Sequence, residues 1–195
     1  MQPTSRGRVT EDKRAAFEAV AVPLMKTVYN RALIMARRPD VAADLVQESY
    51  LRAFRTFDNF IAGSNAKAWL LTILYSVFVN RYRKQRREPE AISLEEADHV
   101  YPDLMATEET LEWRTVLDPK WWASGDVNTA LSRLPETFRT ILLMIEVDDF
   151  TYEEAAAALQ CPVGTVRSRL WRARKMIYTE LQQYARAHGF GKAAP

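Results

Sequence analysis

The stretch Cys161-Pro162-Val163-Gly164-Thr165-Val166-Arg167-Ser168-Arg169-Leu170-Trp171-Arg172-Ala173-Arg174-Lys175 carries five basic residues and no acid. Just before it, Thr151 is followed three residues later by Glu154. In that pattern a hydroxyl and a carboxylate each satisfy an orphan backbone donor at a helix start. A helix is therefore expected from Tyr152, with Ala155, Ala156 and Leu159 giving it a small-residue face. Pro162 suits the opening of a second helix. The connection of three or four residues that this leaves is what a helix-turn-helix requires.

In the second helix Val163, Val166, Leu170, Ala173, Ile177 and Leu181 recur at steps of three and four and predict one buried stripe. Thr165, Ser168, Arg169, Arg172 and Lys175, flanked by Arg167 and Trp171, are left for the other side. A basic, hydroxyl-bearing face on a helix with a free N-terminal turn suits phosphate and base-edge contacts in a major groove. The alternative is an amphipathic helix with a basic solvated face, and the bipartite spacing favours DNA binding over it.

Outward from this motif the chain reads as all helical, because no useful run alternates with a period of two. Residues 11–38 place Phe17, Val20, Leu24, Val28 and Leu33 on one apolar face, which Pro23 should break. Asp40 is a plausible N-cap for a helix over 41–56. Val41, Leu45, Val46, Leu51 and Phe54 form its expected buried side, with Asp44, Gln47 and Glu48 outside. Residues 58–65, with Gly63 and Ser64, read as a loop.

Helical spacing resumes over 66–87, with Trp69, Ile73, Leu74, Val77 and Phe78 inward and Thr72, Ser76, Asn80, Arg83 and Arg87 as a polar stripe. Trp69, Tyr75 and Tyr82 could stack unpaired bases. A helix over 127–134 and another opening at Pro135, with Phe138, Ile141, Leu142 and Ile145, complete the second domain.

The net charge of +2 conceals a segregation along the chain. Residues 66–87 hold six bases and no acid, while 88–118 hold ten acids and one base, Arg114. The organisation expected is therefore two small helical domains, 11–88 and 126–186, joined by an acidic linker over 89–125. The second is a four-helix domain containing the helix-turn-helix. Trp113, Trp121 and Trp122 are unusual in such a linker and are expected to dock on the chain's own domains or on a partner.

One cysteine, Cys161, excludes an internal disulfide, and with His99 and His188 it assembles no zinc cluster. No metal and no cofactor are expected. A polar N-terminus and a longest apolar run, 68–79, shorter than the ~20 residues of a span predict a cytoplasmic protein without membrane insertion. Scarce histidine, no Gly-rich phosphate loop and no carboxylate pair in an apolar setting argue against an enzyme.

Three motifs, in order, resemble the extracytoplasmic function (ECF) group of bacterial RNA polymerase sigma factors, over nearly all of the chain. They are Asp44-Leu45-Val46-Gln47-Glu48 with Leu51-Arg52-Ala53-Phe54, then Asn65-Ala66-Lys67-Ala68-Trp69-Leu70 leading to Asn80-Arg81-Tyr82-Arg83-Lys84, and Tyr152-Glu153-Glu154-Ala155-Ala156 with the recognition helix. The resemblance implies that Asp44, Leu45, Val46, Gln47 and Glu48 bind core RNA polymerase. It implies minus-10 DNA contacts from Asp58, Asn59, Asn65, Lys67, Trp69, Asn80, Arg83, Lys84 and Arg87, with a base extruded into a protein pocket. Minus-35 contacts are implied for Tyr152, Glu153, Thr165, Arg167, Ser168, Trp171 and Arg172.

The partners so implied are core polymerase, promoter DNA and an anti-sigma factor, with the acidic linker threading a cationic channel. The competing reading is a stand-alone helix-turn-helix regulator; the first ninety or so residues, without a βα pattern and with a basic aromatic helix, count against it.

Overall fold

The computed structural model describes residues 5–85 and 125–187. The expected linker up to residue 124, including Trp113, Trp121 and Trp122, and the site residue Arg87 lie outside the described residues, while the linker's last residue, Gly125, already belongs to a helix. Among those described, all regular structure is helical. The chain divides into two compact units, Met1–Tyr82 and Arg83–Pro195.

The first unit opens with α1 (Ser5–Ala21), a 3-10 turn (Val22–Leu24) and α2 (Met25–Ala36). Pro23 lacks an N–H and crowds the preceding turn, so the expected break takes the form of that 3-10 turn. Arg37, at φ 60°, ends α2 in the left-handed region and donates its N–H to the Leu33 carbonyl at 2.8 Å. α3 (Pro39–Thr56) follows with Pro39 in its first turn, where a missing donor costs nothing.

Asp40 is therefore not the N-cap. Arg38 holds that position in extended backbone without a side-chain cap, and Asp40 falls in the first turn, facing the positive end of the helix dipole. The Arg38 Nε donates to its carboxylate at 3.2 Å, and this hydrogen bond holds the Asp40 carboxyl below its ordinary value.

The α2–α3 core is built largely from small residues. Val28, Ala32 and Met35 of α2 are buried, as are Ala42, Leu45, Ser49 and Ala53 of α3. Such side chains let two backbones approach closely, and this shifts the buried stripe of α3 from the one that large apolar residues predict. Val41, Val46 and Phe54 are only half-buried. Leu51 is 53% exposed, against expectation. Ser49 tolerates burial by donating to the Leu45 carbonyl at 2.6 Å. Tyr50 ties α3 to the end of α1, its hydroxyl donating to the Ala21 carbonyl at 2.9 Å, and burial pushes its pKa up to about 12.

After a second 3-10 turn (Phe57–Asn59), α4 spans Ala66–Gln85. Leu70, Leu71, Leu74, Tyr75, Val77 and Phe78 are its buried residues, while Trp69 and Ile73 are half-buried. Tyr75 is fully buried, which removes it from the residues expected to stack on bases.

The second unit consists of α5 (Gly125–Arg133), α6 (Glu136–Glu146), α7 (Tyr152–Leu159) and α8 (Val163–Ala187). The 25-residue α8 is ~37 Å long and packs on all three others. Its buried stripe is Val166, Leu170, Ala173, Met176, Ile177 and Leu181, with Met176 replacing the half-buried Val163 of the expected pattern. Arg174 crosses to α6, donating from Nε at 3.0 Å and Nη2 at 2.7 Å to one carboxylate oxygen of Glu146.

The capping box of α7 is complete. The Glu154 N–H donates to Thr151 Oγ1 at 3.1 Å, and the Thr151 N–H donates to Glu154 Oε2 at 2.8 Å. Thr151→Ala removes one half of this exchange and is expected to cost about 1 kcal/mol in a denaturant titration. An unchanged midpoint would show that tertiary packing alone fixes the start of α7.

Candidate nucleic-acid interface

In the second unit three residues, 160–162, connect α7 to α8. Gln160 supplies the turn with a left-handed φ of 49°, and the Cys161 N–H donates back to the Ala156 carbonyl at 3.1 Å. Pro162 lies one residue before α8, where its carbonyl accepts from the Thr165 and Val166 N–H groups at 2.9 and 3.2 Å. Pro162 thus caps the first turn of α8, which carries no acid.

Burial of Val166, Leu170 and Ala173 turns the other face of α8 outward. Arg167 and Ser168 are exposed, and Thr165, Trp171 and Arg172 are half-buried. The Ser168 hydroxyl donates to the Thr165 carbonyl at 3.1 Å. The Arg167 guanidinium lies over the Tyr152 ring at 5.7 Å and the Lys175 ammonium over Trp171 at 4.2 Å, so aromatic faces hold two of the cations in place. The structure thereby brings Tyr152, at the start of α7, to Arg167 of α8.

Glu153 is exposed in the first turn of α7. Gly164 was not singled out by sequence. A Cβ there meets nothing within 4 Å, so nothing inside the domain requires glycine in a helical turn that glycine weakens.

α4, which belongs to the first unit as far as Tyr82, carries the second group of candidate residues. Trp69, Thr72, Ser76, Asn80 and Arg83 share one face by helical period, and Trp69 to Asn80 spans ~16 Å along the axis. Thr72 and Arg83 are exposed; Trp69, Ser76 and Asn80 are half-buried. Arg83 and Lys84 in the last turn suit the negative end of the helix dipole.

Asn65 caps the other end, its side-chain oxygen accepting from the Ala68 N–H at 3.0 Å, a role the sequence reading overlooked. Asn59 is exposed, Lys67 half-buried, and Asp58 is paired with Lys13 at 2.6 Å. The aromatic wall behind the loop was also missed: Phe57 stacks on Phe60 at 5.6 Å, and Phe60 meets Trp69 at 4.8 Å.

On α3, Asp44, Gln47 and Glu48 are exposed and Val46 half-buried. Leu45 is fully buried, so it serves the core and offers no surface to a partner. Beside this face runs an apolar groove between α2 and α3, lined by Val22, Met25, Tyr29, Val46, Gln47 and Tyr50. Val22 and Met25, 51% and 44% exposed, are apolar side chains that face no core. Asp44 is also paired with Arg81 of α4 at 3.4 Å.

Comparison with known proteins places both units. Residues 23–88 match the family described as Sigma-70 region 2, and residues 124–177 match Sigma-70, region 4. The chain is 36% identical over 157 residues to the ECF RNA polymerase sigma factor EcfG of Rhodopseudomonas palustris, covering 80% of this chain and 78% of that protein. It is 30% identical over 186 residues to the RNA polymerase sigma-H factor of Pseudomonas aeruginosa, covering 92% and 93%. It is also similar to the sigma factor RpoE of Bartonella quintana, solved in complex with the anti-sigma factor NepR, with a TM-score of 0.56, 29% identity and coverage of 86% and 97%.

A match that takes in the first unit leaves no support for a stand-alone helix-turn-helix regulator. Among the described residues no helix is long and apolar enough to cross a membrane. Two units that each match their own sigma region, in chain order, make the protein a member of the ECF group of RNA polymerase sigma factors.

Proposed function

We propose that the chain initiates transcription in the cytoplasm, without catalysis of its own, by dividing the work between its two units. Asp44, Val46, Gln47 and Glu48, with the groove beside them, hold core polymerase. Arg167, Ser168, Trp171 and Arg172 read the minus-35 duplex, with Thr165 and Tyr152 beside them. Glu153 can only accept a hydrogen bond, so its place is at a cytosine amino group rather than a phosphate. The open space at Gly164 suits close approach of the DNA backbone to the first turn of α8.

The face of α4 from Trp69 to Arg83 carries the minus-10 part of the reading. It joins an aromatic platform to polar groups and ends in cations, the combination that holds a single strand by stacking and charge. Asn59, Asn65 and Lys67 flank its start, and Lys84 and Arg87 extend its basic end. The acidic residues 89–125 link the two domains and follow a cationic path in the polymerase.

Asn80→Ala tests the assignment. Open-complex formation should fall on a duplex promoter and recover in part on a template with a pre-melted bubble. Equal loss on both templates assigns Asn80 to folding or to polymerase binding instead.

The Bartonella relative was solved with an anti-sigma factor, and a partner of that kind is proposed for this chain. Because the linker makes a second contact effectively intramolecular, a partner gripping both units should bind the whole chain ~100-fold more tightly than either half. Titration of isolated partners against the chain and against fragments 1–88 and 125–195 measures this. Equal affinities for whole and half would restrict the partner to one unit.

A further inference from the structure

The loop over 58–65 is tied to α1. Lys13 Nζ meets Asp58 Oδ2 at 2.6 Å across 45 residues of sequence and also lies 5.4 Å from the Phe54 ring centre. One turn further along α1, Phe17 is 7% exposed and packs edge-on against Tyr50, Phe54 and Phe57 at 6.2, 5.3 and 5.3 Å. Phe57 then stacks on Phe60 at 5.6 Å, and Phe60 rests on Trp69 at 4.8 Å. The entry of the loop, its middle and the first turn of α4 behind it are thus joined by rings that end on α1.

An acid at the start of a loop meant to approach a polyanion also needs explaining. A carboxylate there repels phosphate unless a cation neutralises it, and Lys13 does so.

We infer that Lys13 and Phe17 are positioning residues for promoter melting, and that Asp58 belongs to this anchor rather than to the groups that touch DNA. The inference rests on the assignment of the loop to the minus-10 strand. Phe17 supplies packing that fixes the ring ladder. Lys13 sets the charge and the posture of the loop entry. The Asp58 side chain is 74% exposed, so its ion pair contributes little to global stability and its removal loosens the loop without unfolding the unit.

The experiment uses holoenzyme reconstituted from core polymerase and full-length Lys13→Ala, Lys13→Arg, Asp58→Asn and the double variant Lys13→Ala/Asp58→Asn. Opening is read from a fluorescent base analogue in the minus-10 element of a duplex promoter, and again on a pre-melted template. Lys13→Ala and Asp58→Asn should each slow opening of the duplex by about three- to fivefold, the scale of one exposed ion pair. The double variant should be no slower than either single change, because both remove the same contact. Lys13→Arg should restore the parent rate, the pre-melted template should respond normally, and thermal midpoints should be unchanged.

A defect in Asp58→Asn with none in Lys13→Ala would overturn the inference in favour of direct DNA contact by Asp58. Additive losses, equal losses on both templates, or normal opening by all variants would overturn it as well. Asn80→Ala serves as the internal control. If it too opens duplex normally, the loop's assignment has failed along with the inference; if it is impaired while the Lys13 and Asp58 variants are normal, only the anchor has failed.

Discussion

Replacing Asp44 and Glu48 together by lysine is expected to abolish co-purification with core polymerase while leaving helix content and thermal midpoint near those of the parent. Both residues are exposed on α3, on the side away from Ala42, Leu45, Ser49 and Ala53. Among the described residues Asp44 is paired with Arg81, at 3.4 Å with the Asp44 side chain 62% exposed. Such a pair contributes at most about 1 kcal/mol, and screening reduces it further. At a protein interface two reversed charges act differently, because like charges brought together cost several kcal/mol, on the order of a thousandfold or more in affinity. Gel filtration with core enzyme and a melting curve on the same preparation separate the two effects. A variant that still co-elutes with polymerase removes this face from the interface, and one that melts early assigns the acids to the fold.

The second large effect is expected at the recognition helix. Arg167→Ala and Arg172→Ala should each weaken the minus-35 site by ~1 to 3 kcal/mol, roughly fivefold to 150-fold, and relax specificity at the positions they read. Arg167 is exposed and braced on the Tyr152 ring, so its truncation removes a pre-positioned guanidinium without opening a core cavity. Tyr152→Ala should then lower affinity by less than Arg167→Ala, since it removes the brace and leaves the cation. Binding titrations over single-base variants of the upstream element distinguish base reading from phosphate contact. A uniform loss across all variants would assign these arginines to the backbone.

The helix-turn-helix was legible in the sequence because its determinants are local. A capping box, a three-residue turn and a stripe at steps of three and four all lie within some thirty residues. The break at Pro23 was legible for the same reason. The buried side of α3 was misassigned because periodicity identifies a face but not how closely the neighbouring helix approaches. α3 buries Ala42, Ser49 and Ala53, which a count of large apolar residues passes over, and so leaves Leu51 outside. Asp40 failed as a cap because Pro39 already begins the helix with a fixed φ.

The candidate site divides similarly. The polar stripe on α4 and the basic face of α8 follow from sequence period. The Lys13–Asp58 pair and the ring ladder from Phe17 to Trp69 join residues up to about fifty positions apart, and no local pattern announces such contacts. Leu45, inside a motif assigned as a whole to polymerase binding, shows the reverse case, since one turn of an amphipathic helix must include a residue that faces the core.

This chain alone is expected to confer promoter choice on core polymerase through two separate elements. Run-off transcription from a duplex library with both elements randomised, with and without the chain, tests it most directly. Transcripts should require the chain and share an upstream and a downstream element at a fixed spacing. Transcripts that appear without the chain, or that need the chain but select only one element, would contradict it.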